Sequence, residues 1–104
     1  MNSSGYPFFT QREFNSKLDL STATNQDIYW NLFYAALDYP IGQLAQSDFN
    51  RCIEHVKVLR KRAANNDRKA NKCLITLKES KNIFPELFLE IEKILDQEKN
   101  KFTP

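Results

Sequence analysis

The chain has 104 residues, of which 41% are apolar and 27% charged, a balance that fits one globular domain and excludes wholesale disorder. A formal charge of +2 is too small by itself to announce nucleic acid, and only two glycines and four prolines argue against a turn-rich sheet protein. The composition implies a single all-α domain over residues 1–104: a small bundle of four to five helices behind an irregular, aromatic amino-terminal segment.

No cationic start followed by an apolar run marks a signal peptide, and no stretch approaches the ~18 apolar residues of a membrane span. A cytoplasmic protein without membrane contact is the expectation. Cys52 and Cys73, outside any CxxC pair, suit unpaired structural thiols in a reducing compartment.

In chain order, residues 1–9 form an irregular lead-in holding Tyr6, Phe8 and Phe9. Thr10-Gln11-Arg12-Glu13 matches a capping box, with Phe9 and Phe14 as its staple, and predicts a short helix over Gln11–Leu18. Asp19–Asn25 reads as a connection ending in a cap at Thr24 or Asn25. Ile28–Leu37, in which Asn31 alone is plainly polar, predicts a central helix covered around most of its circumference and stopped or kinked by Pro40.

Ile41–Ala45 suits a helical turn, with Ser47 and Asp48 capping the helix that follows. Ile41-Gly42-Gln43-Leu44-Ala45 resembles the first helix of a helix-turn-helix DNA reader, although Phe49 stands where the turn glycine belongs.

Six apolar residues then stand seven apart: Phe49, Val56, Ala63, Ala70, Leu77 and Phe84. That register favours one continuous helix through to Lys81, whereas Asn65-Asn66-Asp67 favours a turn. The companion positions read Arg60, Asn66 and Asp67 midway, so the second apolar seam fails there and a hairpin is the better reading. Val58 points away from the stripe and needs something to cover it. Pro85 opens a last helix to about Lys99, with Leu87, Phe88, Ile91, Ile94 and Leu95 inward and residues 100–104 as a frayed tail.

Chemistry is thinly provided. His55 is the only histidine, its helical neighbours Arg51 and Leu59 make no dyad, and a partly exposed position is expected for it. Glu86/Glu90 and Glu92/Asp96 read as solvated helix-face carboxylates, and neither glycine belongs to a phosphate loop. No catalytic residue, metal ligand or cofactor is assigned, and the chain reads as a non-enzyme.

Contact is better supported. Lys57–Lys72 holds seven cations against Asp67, a local +6, while the rest of the chain carries eight cations against twelve acids, a net −4. Lys57, Lys61, Arg62, Arg68, Lys69 and Lys72 are candidate contacts to a partner or to nucleic acid, although that segment has no aromatics to stack on bases. Tyr6, Phe8, Phe9, Tyr29, Trp30, Tyr34 and Tyr39 are candidate aromatic anchors, concentrated in a first half too rich in aromatics for a small core to hide. The expectation is a helical protein-interaction module (adaptor, inhibitor or assembly subunit), self-associating or binding another protein, with a nucleic-acid-binding regulator as the alternative.

Overall fold

A computed structural model describes residues 13–79 and 86–101, with side chains to residue 98. The described residues form four helices and no strand: α1 (Asn25–Asp38), α2 (Gln46–Ala64), α3 (Arg68–Glu79) and α4 (Glu86–Lys101). The lead-in over residues 1–9, Phe84 and Pro85 lie outside them.

α1 starts where Thr24 and Asp27 cap each other: the Thr24 hydroxyl accepts from the Asp27 N–H and the Asp27 carboxylate from the Thr24 N–H. It ends one residue short of its C-cap, Tyr39, and two short of Pro40. The chain then turns through Gly42, whose φ of 72° suits glycine. Ile41–Ala45 is therefore bends and turns, so it is not the first helix of a helix-turn-helix. α2 begins at Gln46 behind Ala45, which offers no side-chain cap, and Ser47 and Asp48 sit inside its first turn.

Asn65–Asp67 is a turn, so residues 49–79 form a hairpin and not one continuous helix. The Asn66 N–H donates to the Ala63 carbonyl and the Asp67 N–H to the Arg62 carbonyl, the paired bonds of a Schellman motif. Asn66 takes the left-handed conformation the motif requires, at φ 72°. Asp67 then restarts the chain, its Oδ1 accepting from the N–H groups of Lys69 and Ala70. Because a Cβ costs about 1 kcal/mol in that region, Asn66→Gly should leave stability equal or higher, and Asn66→Ala should lower it by about 1 kcal/mol in urea titrations.

The row of sevens becomes two core stripes. Val56 on α2 and Ala70 and Leu77 on α3 are buried, with Phe49 and Ala63 packed against them. Ile28, Leu32, Ala35 and Ala36 come from α1, and Leu87, Phe88, Ile91 and Leu95 from α4. Val58 is partly buried against this core. Ile94 is half-buried, and helix continues through Asn100 and Lys101.

The basic helices are partly neutralised from within. Arg60 reaches Glu92 at 3.1 Å and Asp96 at 3.8 Å, and Lys57 reaches Glu98 at 3.9 Å. Glu92 and Asp96, expected to be merely solvated, thus help seat α4 on α2.

The largest departure lies at 13–23. No helix forms over residues 13–18, and Thr10–Arg12 lie outside the described residues. The backbone there makes short local turns, Leu18 N–H to the Asn15 carbonyl and Thr22 and Ala23 N–H to that of Asp19, and is otherwise held by distant side chains. Asn31 Oδ1 accepts from the Asn15 N–H at 2.7 Å and its Nδ2 donates to the Asn15 carbonyl at 2.9 Å. Arg51 donates to the carbonyls of Ser16 and Leu18, and Arg62 to that of Leu20.

His55 completes this arrangement and is fully buried, against the expectation of partial exposure. Its Nδ1 lies 2.7 Å from the Arg51 carbonyl, which can only accept, so Nδ1 carries the proton and Nε2 accepts from Asn31 Nδ2 at 2.8 Å. Both amide hydrogens and the oxygen of Asn31 are then used. The Phe14 ring lies against the imidazole at 5.5 Å.

Candidate functional site

α1 is apolar on both sides, which a helix at the edge of a bundle does not need. Ile28, Leu32, Ala35 and Ala36 take one face into the core. Trp30, Phe33, Tyr34 and Leu37 stand at i, i+3, i+4 and i+7 on the opposite face. Trp30 remains 43% exposed and Leu37 38%, so this helix is not covered around most of its circumference as expected. Ile41, 68% exposed, follows just beyond the helix end.

The aromatics divide into two sets. Tyr29, Tyr39, Phe14 and Phe49 pack against the core, with Tyr39 stacked on Phe49 across the α1–α2 connection. Trp30, Phe33 and Tyr34 form a surface cluster, Trp30 meeting Phe33 edge to face at 5.3 Å and Phe33 meeting Tyr34 likewise at 5.4 Å. Tyr6, Phe8 and Phe9 lie outside the described residues.

Beside this cluster a groove of about 390 Å³ opens between α1 and α3. Asn25, Gln26, Tyr29 and Trp30 form one wall, and Lys69, Lys72, Cys73 and Thr76 the other. Folding has therefore supplied the aromatics that the basic segment lacks in sequence. Burial, then the Cys73 thiol, raises the Tyr29 pKa. Cys73 is itself raised, by burial and then by Asp67, so its thiol stays protonated at neutral pH.

The six candidate cations part company. Arg62 is structural: besides Leu20 it donates to Asn25 Oδ1 at 2.8 Å, and Asn25 Nδ2 donates on to Asp67 at 2.9 Å. This chain of bonds locks the α2–α3 turn to the start of α1. Lys57 faces Glu98, whereas Lys61, Arg68, Lys69 and Lys72 are exposed, the last two at the groove.

Cys52 and His55 are engaged inside the fold. Burial drives Cys52 up to about 12, and both ring nitrogens of His55 are taken by hydrogen bonds. Among the described residues no group of three or more His, Cys, Asp or Glu side chains could hold a metal ion, and no helix is long and apolar enough to cross a membrane.

Comparison with protein-family models, with curated proteins and with solved structures finds no match.

Proposed function

We propose that this chain is a non-enzymatic helical interaction module that binds another protein through the outer face of α1. The observation that carries this reading is the stripe of Trp30, Phe33, Tyr34 and Leu37, left outside a core that already uses the other side of the same helix. Large aromatics held by edge-to-face contacts lose little side-chain freedom on association, and such residues dominate binding energy at interfaces.

A joint Trp30→Glu and Leu37→Glu variant tests it. Neither side chain belongs to the core, so the variant should fold with unchanged circular dichroism, losing about 1–2 kcal/mol in urea titrations with the edge-to-face contacts of Trp30. The wild-type chain should retain a stoichiometric partner, another protein or a second copy, that the variant loses. Equal capture by both chains, with equal and monomeric masses in light scattering, would overturn the proposal.

One observation favours a nucleic-acid-binding regulator as a second reading: Tyr29 and Trp30 stand across the groove from Lys69 and Lys72. Such a site would stack bases and bind phosphates, with affinity falling steeply as salt rises. Against it, Arg62 is consumed internally and Lys57 is paired, which leaves a short cationic edge rather than a track.

A further inference from the structure

We infer that the α1–α3 groove is the docking site for a short acidic segment of a partner protein, one apolar side chain seated on Trp30 and Tyr29 and flanking carboxylates paired with Lys69 and Lys72. The inference rests on the interaction reading and names the chemistry of the partner.

Size limits the occupant first. A groove of about 390 Å³ holds one or two side chains, not a folded face. A stable dimer buries roughly 800 Å² on each partner, and a second copy offering its acidic α4 to this groove would make a head-to-tail contact that builds rings or open chains.

Charge sets the chemistry. Arg60 and Lys57 on α2 draw their acids from α4, but Lys69 and Lys72 have no ion-pair partner among the described residues. The nearest acid in sequence, Asp67, is committed to Asn25 and to the N–H groups of Lys69 and Ala70. Arg68 and the positive end of the α3 dipole add to the same potential. Two unpaired ammonium groups beside a half-exposed tryptophan complement a segment that alternates acid and apolar side chains.

Trp30 is the only tryptophan in the chain, so its emission reports the groove directly. A phage-displayed random peptide library is panned on the full chain, and the enriched peptides are synthesised and titrated by Trp30 fluorescence against wild type and a Lys69→Glu/Lys72→Glu variant. Both lysines are exposed, so the variant keeps the fold. Enriched peptides should place two or more Asp or Glu around a Leu or aromatic residue, shift the Trp30 emission, and lose at least about tenfold in affinity on charge reversal.

No enrichment, a basic or neutral consensus, or equal binding to the variant overturns the inference. So does a salt-steep Trp30 response to single-stranded oligonucleotides without one to peptides, or a mass that rises with concentration and falls on charge reversal, which would seat a second copy there. If partner capture depends on Trp30 and Leu37 but not on Lys69 and Lys72, the groove assignment fails while the interaction reading stands; if it depends on neither pair, both fail.

Discussion

Replacing Asn31 with leucine should lower the unfolding free energy by about 3 kcal/mol or more, although the substitution puts an apolar side chain of similar size into a buried site. The amide satisfies three groups from two other parts of the chain: the N–H and carbonyl of Asn15 and the Nε2 of His55. Leucine leaves the Asn15 N–H and the His55 Nε2 without their partner, while the Asn15 carbonyl keeps only its bond from the Leu18 N–H, and each unpaired group costs about 1–3 kcal/mol. The loss should appear as a lower urea midpoint with an unchanged slope. Amide exchange should quicken most across 13–23, because Arg51, Arg62 and apolar packing would then hold that segment without the amide clamp. A loss below about 1 kcal/mol, or exchange unchanged at Asn15 and Leu18, would show that the segment is held by packing of Phe14, Leu18 and Leu20 and not by the amide clamp.

That clamp also explains which parts of the molecule were legible in the sequence. The α2–α3 hairpin was, because its cause is local: a polar break in the apolar seam, an asparagine able to adopt positive φ and an aspartate able to cap the next helix. α1 and α4 announced themselves by periodicity and by the signals at their ends. Gln11–Leu18 carried equally good local signals, and they misled. Its backbone groups at Asn15, Ser16 and Leu18 are claimed by Asn31 and Arg51, residues 16 to 35 positions away, and spacing along a sequence does not encode such pairings. His55 was misplaced for the same reason, since its partner Asn31 lies on another helix.

The candidate site divides in the same way. That a core of this size would leave some aromatics at the surface followed from their number, but which ones depends on the angle at which α1 meets its neighbours. Phe33, now in the surface cluster, was not among the expected anchors, although its spacing from Trp30 and Leu37 could have placed it there. The groove could not be read at all, because Trp30 and Lys72 meet only after the α2–α3 hairpin has folded back.

Stability should fall as pH drops below about 7, with a slope of up to about 1.4 kcal/mol per pH unit. Burial is the main cause of a His55 pKa below its ordinary 6.5; the hydrogen bond to the Arg51 carbonyl opposes it, the Arg51 charge reinforces it and Glu54 opposes it again. The other elements packed on the ring contribute Asn31 from α1 and Phe14 from 13–23, both uncharged. In the window between the two pKa values the unfolded chain binds more protons than the native one, so stability rises with pH. The loss therefore begins as pH falls through 6.5 and ends only below the native value. Its structural origin is a clash of donors: a protonated Nε2 would face the Asn31 Nδ2, and the amide cannot reverse without opposing both backbone groups of Asn15. Asp19 and Asp67 are held below the usual carboxylate range, chiefly by hydrogen bonds from Ser21 and Asn25, so their contributions are lost only at lower pH. Urea titrations at half-unit steps should show the slope in wild type and its absence in His55→Gln, with Asn15 amide exchange accelerating over the same window in wild type. An equal slope in the two proteins would assign the pH dependence to other groups and leave His55 as a structural residue alone.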